Sequence, residues 1–361
     1  MSHVATLLNP ELTTKHQRLL LILEARGADA LVLDSPAALS WFLAGARTHV
    51  SLAGTPVAHM LIHRGGACLL VFNNEAERLV AEELPAGLEI YSVPWHASLG
   101  EYCAHLAKER GFAQVLAEAD VALELRAARA ALLDVEQDRY RRLCVDTARI
   151  LTDVLQGATP QHSEREIASR LAARVVGSGS DPLVVLVAGE QRLGNRHPLP
   201  TDSPVGNRMM AVLCARRDGL IANVTRWVSF TPHTAKQQRD EEAILAVEAE
   251  ILAATRPGVS LESLLPVIEQ AYPRHGFAPD EIMRHHQGGP TGYAGRDPRL
   301  VPGVQDTIVA GQAFAWNPSA PGVKVEDTML LGHDGFEVLS VDLRWPSVTV
   351  AGLQRPAVLK L

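Results

Sequence analysis

Residues 209–230, MMAVLCARRDGLIANVTRWVSF, read as two apolar strands folded back on each other at Asp218-Gly219. The pair is a turn signal between two runs with strand composition, so a β-hairpin is expected here. Upstream, LVVLVA (183–188) reads as a further strand. Before it, Ser163-Glu-Arg-Glu forms a capping box, and Ile167, Leu171 and Val175 recur on one face of the helix that follows. Another helix is expected over 138–156. Downstream, 237–254 reads as a helix with Ile244, Val247 and Ile251 inward, Pro257-Gly258 interrupts the chain, and 261–272 resumes as a helix. The stretch 305–350 is mostly strands and turns. Two helix pairs, each followed by strands, give an α+β domain with a hint of internal duplication.

The N-terminal part has a different rhythm. A helix ending at Gly27 leads into the strand ALVLD (30–34), then two apolar runs meet around Gly65-Gly66 as a hairpin. Residues 75–83 read as helix, 88–93 as strand and 98–111 as helix. This alternation predicts an α/β domain. Gly65-Gly66 is too short to cradle a phosphate, and no phosphate-binding loop is present. The charged, alanine-rich stretch ELRAARAALLDVEQDRYRRL (124–143) reads as a helix with the boundary near 130–137, which gives domains 1–135 and 136–361.

Composition excludes several function classes. The chain has 361 residues, 47% hydrophobic and 21% charged, the profile of a globular protein rather than a disordered one. A net charge of −7 provides no general basic field for nucleic acid. No apolar run approaches the ~20 residues that span a bilayer. The N-terminus lacks the pattern of a signal peptide. The four cysteines show no CxxC spacing, so a zinc knuckle or dithiol motif is not expected, and a reduced cytoplasmic protein is.

Five segments, in order, resemble one family. They are RHPLPTD (196–202), CARRDGLIANVTR (214–226), HHQGGPTGY (285–293), GQAFAWNPS (311–319) and KVEDTMLL (324–331). The chain is similar to the aminopeptidase P, prolidase (Xaa-Pro dipeptidase), methionine aminopeptidase and creatinase family, peptidase M24. Residues 14–125 resemble the N-terminal domain of creatinase and the prolidases. The resemblance implies a creatinase-N-like mixed sheet with helices, followed by an α+β pita-bread domain. It also implies a homodimer, in which a second subunit lends residues from the segment SWFLAGARTH (40–49), with Trp41 and Arg47.

The resemblance further implies five metal ligands: two aspartates, a histidine and two glutamates, holding two divalent ions. Carried across, these positions are Val212, Asn223, Gly289, Asn317 and Glu326. Only Glu326 keeps a carboxylate. Val and Gly offer no side-chain ligand, and Asn is a far weaker one. A degenerate site with no metal and no cofactor is therefore expected. His197 falls where the family keeps its substrate-side histidine, and Arg296 where it keeps a second pocket histidine.

What remains suits other chemistry. His197 has the imidazole of a general base, and Glu326 is expected to orient it or to bind a cation. Asn223, Asn317, Gln287 and Thr291 are neutral hydrogen-bonding groups, His285 and His286 add imidazoles, and Arg296, Arg226, Arg216 and Lys324 shift the site toward positive charge. An arginine clamps a carboxylate well, so a small ligand bearing a carboxylate or amide is expected, with Asn223, Asn317, Arg296, His285, His286 and Arg47 binding it. Cys214 reads as a core residue, with a nucleophile as the alternative. Three functions follow: a metal-independent hydrolase of a small C–N-bonded metabolite, a non-catalytic binding protein with the pita-bread fold, or an Xaa-Pro dipeptidase with a divergent metal site. No nucleic-acid or membrane partner is expected.

Overall fold

The computed structural model describes residues 9–361, so residues 1–8 of the N-terminus read above for a signal peptide lie outside the described residues. The chain divides into two compact units, 1–129 and 130–361.

The first unit runs α1 (Pro10–Arg26), β1 (Ala30–Leu33), α2 (Pro36–Phe42), β2 (Ala58–His63), β3 (Gly66–Phe72), α3 (Ala76–Glu82), β4 (Glu89–Val93), α4 (Leu99–Glu109), β5 (Val115–Leu116) and α5 (Ala122–Ala130). Its sheet has the order β4-β3-β2-β1-β5. The β1–β2 and β2–β3 pairs are antiparallel, while β3–β4 and β1–β5 are parallel. The sheet is mixed, as the creatinase-N resemblance implies. Asn9 caps α1 by accepting from the Glu11 N–H at 2.9 Å, and Gly27 ends it at φ 63. Leu61, Cys68 and Leu70 pack with Cys103 and Leu106 of α4 in one apolar cluster.

The short helix α2 is not foreseen in the sequence. Its apolar residues run consecutively rather than at helical spacing. Pro36 at its start and the Ser35 hydroxyl, which accepts from Ala38 N–H at 3.2 Å, set it up locally. Trp41 on this helix is fully buried, and the Lys15 ammonium donates to its carbonyl at 2.5 Å. Trp41 is a core residue of the first unit. The single helix read over 124–143 is two helices, broken at residues 131–133. At the start of the second, the Glu136 carboxylate accepts from the Leu133 N–H at 2.8 Å. The division between units falls at Arg129/Ala130, at the C-terminal end of α5, rather than at 135.

The second unit begins with α6 (Asp134–Leu155) and α7 (Glu164–Gly177), whose Ser163–Glu166 capping box is formed. Strands β6 (Asp181–Gly189), β7 (Arg208–Arg217) and β8 (Leu220–Ser229) follow. Next come α8 (Ala235–Ala254), a 3-10 turn at Leu261–Ser263, α9 (Leu264–Arg274) and α10 (Glu281–Arg284). The remainder is β9 (Gly288–Thr291), β10 (Gln312–Trp316), β11 (Ser319–Ala320), β12 (Val323–Lys324), β13 (Met329–Leu331), β14 (Phe336–Val338), β15 (Ser347–Val350), β16 (Leu353–Pro356) and β17 (Leu359–Lys360). Two four-stranded sheets result, β17-β8-β7-β6 and β14-β13-β10-β9. Helices α6 and α7 precede β6 of the first sheet, and α8, α9 and the short α10 precede β9 of the second. The second sheet packs Phe314, Trp316, Met329 and Leu331 against Ile244, Val247 and Ile251 of α8.

Two features place the site. Asp218 and Gly219 both have positive φ, 52° and 74°, the requirement of a type I′ turn. The turn sets a register with Cys214 opposite Asn223 and Val212 opposite Thr225, which puts these four residues on one face. The second feature is a chain of buried charges. Arg355 pairs with Glu248 at 2.6 Å and with Asp327 at 2.9 Å, and Arg226 pairs with Asp327 at 2.9 Å. It ties β16, α8 and β8 to the segment immediately after Glu326. No helix among the described residues is long and apolar enough to cross a membrane.

Candidate functional site

Glu326 lies at the centre of the expected site and is 2% exposed. Its carboxylate is fully engaged. Arg296 Nη2 approaches Oε1 at 2.6 Å, while Lys324 Nζ at 2.9 Å and the Thr225 hydroxyl at 2.9 Å both approach Oε2. Burial acts to raise this carboxyl, but Lys324 and Arg296 outweigh it and bring it down to about 2. The expected pairing of Glu326 with His197 is absent from these contacts; the two cations take both oxygens instead.

Arg296 also donates from Nη1 to Asn223 Oδ1 at 3.0 Å, so one guanidinium bridges Asn223 and Glu326. The Asn223 amide nitrogen donates to Thr291 Oγ1 at 3.1 Å, and its backbone N–H donates to Thr328 Oγ1 at 2.7 Å. The Cys214 thiol donates to Asn223 Oδ1 at 3.3 Å. Burial, with the Glu326 charge second, pushes Cys214 up to about 12, which removes the thiolate a nucleophile needs.

The three histidines come together. His285 Nε2 lies 3.2 Å from His197 Nε2, and the His285 and His286 ring centroids are 4.4 Å apart. His197 is exposed and His285 buried. Ser319 Oγ holds His285 Nδ1 at 3.2 Å and itself accepts from Arg196 Nη1 at 3.0 Å. Arg196 is in turn paired with buried Glu281. Tyr272 donates to Gln287 Oε1 at 2.7 Å, and Gln287 Nε2 donates to the His285 carbonyl at 2.6 Å. Burial first, then Lys324, depresses His285 to about 2; burial, then Arg296, depresses His286 to about 4. His197 is lowered from 6.5 by burial and then by Lys324. All three rings are neutral at pH 7.

Three buried polar atoms around this cluster have no partner: Arg296 Nε, Asn317 Oδ1 and His286 Nδ1. They comprise a charged donor, an acceptor and a ring nitrogen. Arg47 belongs to the first unit, where its backbone N–H and guanidinium both hold Glu83, at 2.9 and 2.7 Å. Arg216 pairs with Asp181 at 2.9 Å, and Arg226 is committed to the buried charge chain. Ser319, Tyr272, Arg196 and Thr328 are missed by the sequence reading. The Thr after Glu-Asp and the Ser after Asn-Pro sit inside motifs already singled out, and that proximity is the signal that points to them.

At the five ligand positions carried across by the resemblance, only Glu326 brings a carboxylate or imidazole. Val212 packs in an apolar cluster with Leu186, Ala188, Met210 and Trp227. Gly289 has no side chain, and Asn223 is bonded to a guanidinium. Glu326 is already held by two cations of the chain itself, so it has no uncompensated charge to offer a metal. Among the described residues, the group of metal-ligating side chains with ligand atoms close together is His197, His285 and His286, all within 4.8 Å. Such neutral nitrogen donors suit a single borderline ion rather than two hard ones.

Comparison with known proteins gives the family. The model of metallopeptidase family M24 matches residues 138–333. An uncharacterized peptidase of Staphylococcus aureus is 23% identical over 125 residues, a match that spans 33% of this chain and 35% of that protein. The prolidase of Pyrococcus horikoshii superposes with a TM-score of 0.73 at 17% identity, covering 91% of this chain and 98% of the prolidase. The N-terminal domain of the FACT complex subunit SPT16 from chickpea, Cicer arietinum, has a TM-score of 0.65 at 14% identity, covering 91% and 96%. The two-unit fold is thus that of the prolidases, and with more than half its length matched by the family model the chain belongs to metallopeptidase family M24.

Proposed function

We propose that this chain hydrolyses a C–N bond in a small carboxylate- or amide-bearing molecule without a metal ion, with His197 as general base. The observation that carries the reading is the Arg296 bridge between Asn223 and Glu326, which puts a fixed cation where the family's ligands are expected. Arg296 and Lys324 outnumber Glu326 by one positive charge, and that surplus attracts a carboxylate. The unpartnered Arg296 Nε and Asn317 Oδ1 supply a donor and an acceptor for an amide.

The base follows from the imidazole pair. In the tautomer where His285 Nδ1–H donates to Ser319 Oγ, His285 Nε2 accepts from His197 Nε2–H. His197 Nδ1 is then a free lone pair on an exposed ring. It takes the proton of a water that attacks the carbonyl carbon and returns it to the leaving nitrogen. A homodimer working in the cytoplasm, without nucleic-acid or membrane partners, completes the proposal.

A binding protein without catalysis is the second reading. It is favoured by the saturation of Glu326, which leaves His197 without a carboxylate to orient it. One experiment separates the readings: turnover of Ala-Pro and of N-acetyl amino acids by wild type and His197→Ala, with chelator and with added manganese or zinc. Turnover that resists chelator and disappears in His197→Ala supports the proposal. Turnover that chelator abolishes and zinc restores overturns it, in favour of a divergent metal site on the three imidazoles. No turnover, with a ligand-induced rise in melting temperature, overturns it in favour of binding alone.

A further inference from the structure

A cavity lies in the second unit, and none of the three imidazoles lines it. It measures about 280 Å3. Drug-sized sites run from about 300 Å3 upward, so this one is the size of a small metabolite. Its walls are largely aliphatic, with Ile244, Leu245, Val323, Val325 and Val358 among them.

The polar lining is specific. Arg208 is 5% exposed, its guanidinium lies 4.8 Å over the Trp227 ring, and its Nη2 donates to Glu241 Oε1 at 2.9 Å. His233 Nδ1 lies 3.2 Å from the other oxygen of Glu241. One carboxylate thus clamps an arginine and a histidine side by side at the cavity wall. Each has a second polar atom, Arg208 Nε and His233 Nε2, that is buried without a partner. With Nδ1–H donating to Glu241, His233 Nε2 is an acceptor, while Arg208 Nε–H is a charged donor. Leaving either bare in a cavity costs free energy that a ligand group recovers.

Charge narrows the ligand further. Lys324 and Arg226 also line the cavity, but their cationic ends are held by Glu326 and Asp327, at 2.9 Å each. That leaves Arg208 and Lys360 against Glu241 and Glu242, a balanced set. A balanced lining selects neither an acid nor an amine alone. It suits a molecule carrying both charges.

We propose that this cavity binds a free α-amino acid with an aliphatic side chain. The carboxylate faces Arg208 Nε and Lys360, the ammonium faces Glu241 and His233 Nε2, and the side chain lies among the valines. Because Lys324 and Thr225 belong to this wall and also hold Glu326, an occupant touches two residues that position the candidate site. The assignment stands apart from the proposed hydrolysis.

Calorimetric titration of the full chain with leucine, isovalerate and isoamylamine tests it. Leucine binding, with each singly charged probe at least about tenfold weaker, is the expected result. Arg208→Gln should weaken leucine by a similar factor, and Val358→Trp, which fills the cavity, should abolish binding. His197→Ala should leave leucine affinity unchanged. No heat or melting shift with millimolar leucine overturns the proposal and makes the cavity a water-filled gap. Equal binding of all three probes, or wild-type affinity in both cavity variants, overturns it as well.

Discussion

Glu326 shows how a single residue changes meaning with its neighbours. In the sequence it stands as the surviving acid of a ligand set. In the structure it is the counter-ion of Arg296 and Lys324. Replacing it with Gln leaves two buried cations sharing a neutral amide. Glu326→Gln should therefore destabilise the chain by about 3–5 kcal/mol, read as a lower urea midpoint. Adding Arg296→Met should recover part of the loss, since the double variant buries one charge fewer; a double variant as unstable as the sum of the two single changes would deny the coupling. His197, Asn223 and Glu326 were legible because they sit in motifs. Their bonding was not, because the partners Thr225, Ser319 and Thr328 are ordinary residues whose roles depend on strand pairing.

At the scale of the element, β9 is where the sequence is most constrained. Gly288 pairs with Trp316 and has φ +94, and a Cβ there would lie 2.1 Å from the Ala315 carbonyl oxygen. Only glycine allows β9 to close on β10 directly after His285-His286-Gln287. Gly288→Ala should part these strands, lower the melting temperature by several degrees and displace the imidazoles, visible as lost turnover or ligand binding. A variant with wild-type melting would show that the strand does not need this close approach. The hairpin β7–β8 was readable because its turn and apolar runs are local signals. Helix α2 was not, because its apolar residues run consecutively and only the Ser35-Pro36 start marks it locally. The break at residues 131–133 was likewise hidden by alanine-rich, charged sequence that favours helix on both sides.

For the whole molecule, acid is the informative stress. An unfolded histidine protonates near 6.5, whereas folded His286 does so only at about 4 and His285 at about 2. Below pH 6.5 the unfolded chain binds protons that the folded chain does not, so stability falls as pH drops toward 4. Glu326 extends the loss. Its folded value of about 2 lies below the usual 4.5, so its contribution is present above 4.5 and disappears toward 2. Urea midpoints measured from neutrality down to about pH 4 should decline, and His285→Gln with His286→Gln should flatten the upper part of that decline. An unchanged slope would show that these imidazoles are solvated. The two-domain organisation was readable in outline from the change of rhythm along the chain, while the charge chain through Arg355, Glu248, Asp327 and Arg226 was not, since two of its three links join residues more than a hundred positions apart.

The Arg296 bridge also decides what it would take to build a metal site here. Suppose Asn223 and Asn317 were changed to Asp and Glu, placing carboxylates at two of the expected ligand positions. The guanidinium already touching Asn223 would seize the new aspartate before any dissolved ion reached it. The introduced acids should bind manganese weakly in calorimetry unless Arg296 is removed in the same step. The obstacle to an engineered metal centre would then be a tenant that must leave first, not the number of acids supplied.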